Sequence, residues 1–178
     1  GTRFTNFYMA SPVCSPSRGA MMTGCYPRRI GFGSFDDMGV LFPGQGVGLN
    51  PNEITMAGIL KNSGYSTMLI GKWHCGDQPE FLPTRHGFDH YYGLPYSNDM
   101  GRQAGRNEKL NFPPLPLVLD EEVIQEQPDQ TSLTERYLEQ AVRFIRNNRD
   151  NPFFLYFAHM HVHLPLYAPE RFLKQSKN

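Results

Sequence analysis

Two uninterrupted apolar runs do most to limit the fold. Ser66-Thr67-Met68-Leu69-Ile70, ending at Gly71, reads as one buried strand, and Phe153 to Ala158 reads as another. Runs of this kind are covered on both faces, as in a parallel sheet packed between helices. Helical patterns alternate with them. Thr55 caps a short helix over Met56 to Ser63, closed by Gly64. A longer helix runs from Thr131 to Asn148. There Ser132 and Glu135 have capping-box spacing, and Leu133, Tyr137, Ala141, Phe144 and Ile145 share one face. A further strand is expected over Arg3 to Met9, and a helix start over Pro169 to Gln175. The alternation predicts an α/β fold, layered α/β/α with a mainly parallel central sheet. Pro27 to Pro51 reads as a loop rich in glycine and proline. Asp77 to Pro128 has little periodicity and many aromatic residues, so it is expected to form a long ordered excursion over the site.

Three clusters of chemistry-bearing residues each follow an expected strand, where open α/β sheets place their functional loops. The first is Cys14-Ser15-Pro16-Ser17-Arg18, running to Thr23-Gly24. Pro16 suits a first helical position, Ser17 and Arg18 a first turn, and Gly24 a stop. A helix start offers unpaired N–H groups to an anion, and Arg18 adds a planar fork of donors for a tetrahedral oxyanion. The second cluster is Lys72-Trp73-His74. On an extended segment Lys72 and His74 point the same way, one bringing fixed charge and the other hydrogen bonding and proton transfer. The third is His159-Met160-His161-Val162-His163. Its alternation would put three imidazoles on one face, an arrangement that could also hold zinc.

Taken together, these stretches resemble the type I sulfatases, a formylglycine-dependent branch of the alkaline phosphatase superfamily, in an arylsulfatase A-like form. Cys14-x-Pro16-Ser17-Arg18 with Thr23-Gly24 is similar to the first family signature. Gly64-Tyr65-x-Thr67, continuing to Gly71-Lys72-x-His74, is similar to the second. Pro95-Tyr96-Ser97 resembles a substrate-facing segment, and His161-x-His163-x-Pro165 a sulfate-facing one. Cys25 departs from the pattern, because the family more often has arginine there.

The resemblance implies that Cys14 is oxidised by a formylglycine-generating, or sulfatase-maturing, enzyme and then serves as nucleophile and metal ligand. It implies catalytic roles for Arg18, Lys72, His74 and His163, and sulfate binding by Lys72, Ser97 and His163. His159 and His161 pack or orient neighbours. The reaction implied is hydrolysis of an aryl or carbohydrate sulfate ester. A phosphate or phosphonate ester hydrolase of the same superfamily, or a non-catalytic relative, are the alternatives. A divalent cation, most often Ca²⁺, belongs to the family, with its remaining ligands expected outside residues 1–178. The chain is therefore expected to be an internal part of one N-terminal catalytic domain, incomplete at both ends. An exported, periplasmic or lysosomal setting is what the resemblance suggests.

Composition limits other classes. The 178 residues carry 17 basic and 17 acidic side chains, so no net charge speaks for nucleic acid and any anion site must be local. Hydrophobic content of 39% supports a folded core. No apolar run approaches the roughly 20 residues of a membrane span. No signal peptide is visible, since Gly1-Thr2-Arg3-Phe4 reads as the inside of a folded unit. Three cysteines are an odd count, and a Cys14–Cys25 disulfide is the bland alternative to a nucleophile. Cys75 receives no role. Asp36 and Asp37 read as loop residues and not as metal ligands.

Overall fold

A computed structural model describes residues 1–33, 35, 39–103 and 110–175. Asp36 and Asp37 lie outside them. The described elements, in chain order, are α1 (Cys14–Thr23), α2 (Met56–Asn62), β1 (Ser66–Lys72), β2 (His90–Leu94), β3 (Pro116–Leu119), β4 (Glu122–Glu126), α3 (Leu133–Asn147), β5 (Phe153–Ala158) and α4 (Glu170–Leu173), with short 3₁₀ turns between them. The sheet order is β4-β3-β2-β1-β5. β1 pairs in parallel with both β2 and β5, whereas β3 and β4 join as an antiparallel extension.

The apolar runs behave as expected because β1 is central and covered on both faces. Leu69 and Tyr91 face a core shared with Met22 of α1, Ala57 of α2, Phe32, Trp73 and Phe88. Met68, Ile70 and Tyr92 face a second core shared with Leu133, Tyr137 and Phe144 of α3. This is the α/β/α layering, with α1 and α2 on one face and α3 on the other. Gly71 lets β1 and β5 meet closely: its φ is 107°, and a β-carbon there would run into the Ala158 carbonyl. None of the described helices is long and apolar enough to cross a membrane.

Three expectations need correction. Residues 3–9 form no strand. A strand needs a ladder partner, no described residue pairs with this segment, and Phe4 and Tyr8 stand 73% and 86% exposed. Asp77 to Pro128 is not a plain excursion, since it contributes β2, β3 and β4. Those strands are only four or five residues long, too short for a clear period, and β4 is an exposed edge bounded by Glu122 and Glu126. The Ser132–Glu135 capping box does not form. Instead Asp129 accepts from the Thr131 N–H at 2.9 Å, and Ser132 Oγ donates to the Asp129 carbonyl at 2.7 Å. Glu135 turns to Arg171. All three cysteines are free thiols, so the disulfide alternative at Cys14 does not form.

Candidate active site

α1 begins at Cys14, two residues earlier than Pro16 suggested, with Val13 extended ahead of it (φ −123°, ψ 162°). Pro16 is still within the first turn, where its missing N–H costs no helical bond. Ser17 N–H donates to Val13 O at 3.2 Å, and the helix stops at left-handed Gly24, whose N–H donates to Ala20 O at 2.8 Å. Ser15 is buried, and its Oγ accepts from the Leu41 N–H at 3.1 Å. That bond fixes the start of α1 against the loop following residue 39. Gly19 lies against Phe32 and Ile30, where a β-carbon would come within 2.7 Å of the Phe32 ring.

The C-terminal end of β1 delivers Lys72. Arg18 Nη1 donates to the Lys72 carbonyl at 2.6 Å, which ties the guanidinium of α1 to the strand end. The Lys72 side chain is 3% exposed, and its Nζ donates to Ser97 Oγ at 3.0 Å. Burial pushes the Lys72 pKa down to about 8, a nearby Cys14 with a hydrogen bond to the amine pulls it partly back, and Arg18 adds to the lowering. Ser97 is 1% exposed and follows β2; its Oγ lies 3.4 Å from His163 Nε2. His163 Nδ1 lies 2.7 Å from the Leu164 carbonyl, which only accepts, so Nδ1 carries a proton and Nε2 of the neutral ring accepts from Ser97. The bonds therefore run in one direction, from Lys72 through Ser97 to His163. The Asp99 carboxylate lies 4.0 Å from His163 Nδ1.

His74 does not line the same cleft. It is 1% exposed, in the left-handed region at φ 62°, with Nε2 2.9 Å from the Leu41 carbonyl. That contact puts the proton on Nε2 and leaves Nδ1 as an acceptor, which has no partner among the described residues. Burial, the Lys72 charge and Arg18 hold its pKa well below the usual range despite the Leu41 bond, so the ring is neutral. A non-glycine residue in this conformation stores roughly 1–3 kcal/mol of strain, tolerated most often at functional sites.

The three histidines after β5 do not share one face. His159 and His161 stack on each other, with centroids 4.7 Å apart, and the His161 N–H donates to His159 Nδ1 at 3.1 Å. His161 Nε2 is 2.9 Å from Thr134 Oγ1 of α3, while His163 alone reaches Ser97. Burial, with help from His161, lowers the pKa of His159. Among the described residues no group of three or more His, Cys, Asp or Glu side chains is placed to hold a metal. Calcium needs six to eight oxygens, so these residues by themselves do not fit it.

Cys14, Arg18, Lys72 and His163 line one open cleft of about 590 Å³, whose walls include Met21, Tyr156, His159, His161 and Val162. Ser97 lies directly beneath it, between Lys72 and His163. Sequence reasoning missed Ser15, Asp99 and Thr134. Asp99 stands two residues after Ser97 and is readable as its neighbour, whereas Ser15 and Thr134 give no local signal. Cys25 lies apart from the cleft and half-buried, its thiol 3.7 Å from the Thr23 carbonyl.

Lys72, Cys14, Arg18 and His163 thus meet around one open cleft, and comparison with known proteins gives the family. The sulfatase family model matches residues 1–178. The N-acetylgalactosamine-6-sulfatase of Rattus norvegicus is 37% identical over 190 residues, covering 99% of this chain and 35% of the relative. Arylsulfatase A of Homo sapiens is 36% identical over 193 residues, covering 99% of this chain and 37% of the relative. Among solved structures, the PsFucS1 sulfatase from Pseudoalteromonas sp. superposes with a TM-score of 0.75 at 28% identity, over 91% of this chain and 37% of that one. Ps i-CgsB, solved with k-i-k-neocarrahexaose, gives 0.72 at 30% identity over 94% and 39%. The chain belongs to the sulfatase family, and it spans little more than a third of the length of these relatives.

Proposed function

We propose that the complete protein hydrolyses sulfate esters of aryl or carbohydrate alcohols, and that this chain is the internal part of a single N-terminal catalytic domain. The observation that carries this reading is the burial of Lys72 Nζ between Cys14 and the Ser97–His163 pair, beside Arg18. Once converted to formylglycine by a maturing enzyme, residue 14 would supply, as the hydrated aldehyde, one hydroxyl to attack sulfur and a second whose deprotonation frees the sulfate. An ordinary cysteine or serine ester lacks that second hydroxyl.

The remaining steps belong to this chain's side chains. Lys72 and Ser97 hold sulfate oxygens from one side. Their charge and dipole are in place before the reaction, the arrangement that contributes most to such catalysis. Arg18, anchored on the Lys72 carbonyl, keeps a positive guanidinium beside residue 14. When the ring carries a second proton, on Nε2, His163 donates from Nε2 to an oxygen of the sulfate ester. In its protonated form it gives that proton to the leaving alcohol, while Nδ1 stays on the Leu164 carbonyl. The family resemblance gives His74 the proton of the second hydroxyl, a role that needs its buried Nδ1 to be reached from the cleft it does not line.

The test uses the complete protein expressed with a sulfatase-maturing enzyme and compares para-nitrophenyl sulfate with para-nitrophenyl phosphate. Sulfate turnover lost in Lys72→Ala supports the reading. Turnover of phosphate alone would assign a phosphate ester hydrolase, and turnover of neither across aryl and sugar esters would favour a non-catalytic role.

A further inference from the structure

Asn98, immediately after Ser97, joins three separate segments. It is 1% exposed, and its Nδ2 donates to Gln130 Oε1 at 3.0 Å and to the Pro165 carbonyl at 3.3 Å. Its own carbonyl accepts from Gln103 Nε2 at 2.8 Å and from Gln130 Nε2 at 3.2 Å. Gln130 precedes α3, and Pro165 closes the loop that carries His163. The amide pair therefore fixes the Ser97 turn and the His163 loop to the same helix start.

The direct contact between Ser97 and His163 is long, at 3.4 Å. The adjacent Asn98 adds a second link to the same loop, 3.3 Å to the Pro165 carbonyl, and a 3.0 Å bond that holds this turn to Gln130. Asn98 Oδ1 has no hydrogen-bond partner among the described residues. A buried acceptor left unpaired costs stability, and an apolar side chain of similar volume would avoid that cost. Asparagine thus carries one unpaired acceptor here together with two bonds that fix position. Its NH₂ group donates to two oxygens at once, which leucine cannot do and which an aspartate would oppose.

We propose that Asn98, paired with Gln130, is a positioning residue that sets where His163 stands relative to Ser97 and Lys72. The inference rests on the sulfate-ester reading of that site. Misplacing a catalytic group by about 1 Å is enough to slow a reaction about a hundredfold.

The experiment compares wild type, Asn98→Leu and Gln130→Met in the complete, matured protein. It measures thermal stability, kinetics on para-nitrophenyl sulfate and a crystal structure of each. Asn98→Leu removes the unpaired Oδ1 but leaves Gln130 Oε1 and the Pro165 carbonyl without a donor, so it is expected to lower the melting temperature modestly, to lower kcat about tenfold to a hundredfold and to change KM by less than about threefold. In its structure His163 Nε2 should stand farther from Ser97 Oγ. Gln130→Met should give a smaller fall of the same kind, and it carries the test if the leucine variant does not fold. Wild-type kinetics with His163 unmoved would overturn the proposal, as would a loss that tracks reduced stability alone. A wild type inactive on every sulfate ester would defeat the sulfate-ester reading instead, and the crystal structures would still decide what Asn98 holds in place.

Discussion

Replacing Lys72 with methionine should make the protein more stable and nearly inactive. Burial lowers the amine pKa to about 8 from an ordinary 10.5, with Cys14 pulling back and Arg18 adding to the fall. The unfolded chain then holds that proton more tightly than the folded one. The folded state is penalised in full below the folded value, and the penalty fades as pH rises towards the unfolded value. A displacement of this size is worth about 3 kcal/mol near neutral pH. Methionine keeps an unbranched side chain, one atom shorter, and removes the charge. The lost bond to Ser97 Oγ, 3.0 Å long, offsets about 1–2 kcal/mol of the gain. A net stabilisation of about 1–2 kcal/mol is therefore expected at about pH 7, shrinking towards zero or below at about pH 9.5. Catalysis should fall about a hundredfold to a thousandfold, as when one preorganised donor to a developing anion is removed. Urea unfolding of the complete protein at the two pH values, with sulfatase kinetics alongside, makes the comparison. A variant less stable than wild type near neutral pH, or one that keeps its activity, would refute the reasoning.

Other expectations follow from single contacts. Gly71→Ala places a β-carbon against the Ala158 carbonyl at φ 107° and should cost about 3–5 kcal/mol or prevent accumulation, read by thermal unfolding. Arg18→Lys removes the 2.6 Å bond from Nη1 to the Lys72 carbonyl and the planar fork. It should lower kcat/KM about a hundredfold with little change in melting temperature. The Cys75 thiol is buried and its pKa is pushed up to about 12, so iodoacetamide should label Cys25 in the native protein and reach Cys75 only after unfolding, as peptide mapping would show.

What the sequence revealed, and what it concealed, follows from how local each determinant is. β1 was readable because a strand buried on both faces needs an uninterrupted apolar run; the run Phe153–Ala158 was found with the observed bounds, although β5 ends the described sheet and is mostly half-buried. The Thr55 cap was readable because its side chain accepts from Gly58 N–H three residues on. β2, β3 and β4 were hidden because their pairing partners lie far along the chain and each strand is too short to show a period. Arg3 to Met9 has strand composition, yet composition does not provide a neighbour to pair with. At the site, Cys14, Arg18 and Lys72 were legible from motif spacing. The convergence of Ser97 on Lys72 and His163 depends on β1–β2 pairing and on a loop after β5, which no local pattern contains. The alternation of His159, His161 and His163 suggested a shared face, whereas the turns after β5 send His163 to Ser97 and leave the other two stacked near α3.

The central claim is that residue 14 acts as formylglycine and not as a thiol. The most direct measurement is the mass of the tryptic peptide containing residue 14, taken from the complete protein co-expressed with a sulfatase-maturing enzyme, with hydrazide trapping of any aldehyde. The account predicts that sulfur is replaced by oxygen with loss of two hydrogens, and that the trapped fraction tracks sulfatase activity across preparations. An unmodified Cys14 thiol in a folded protein that still hydrolyses sulfate esters would contradict it.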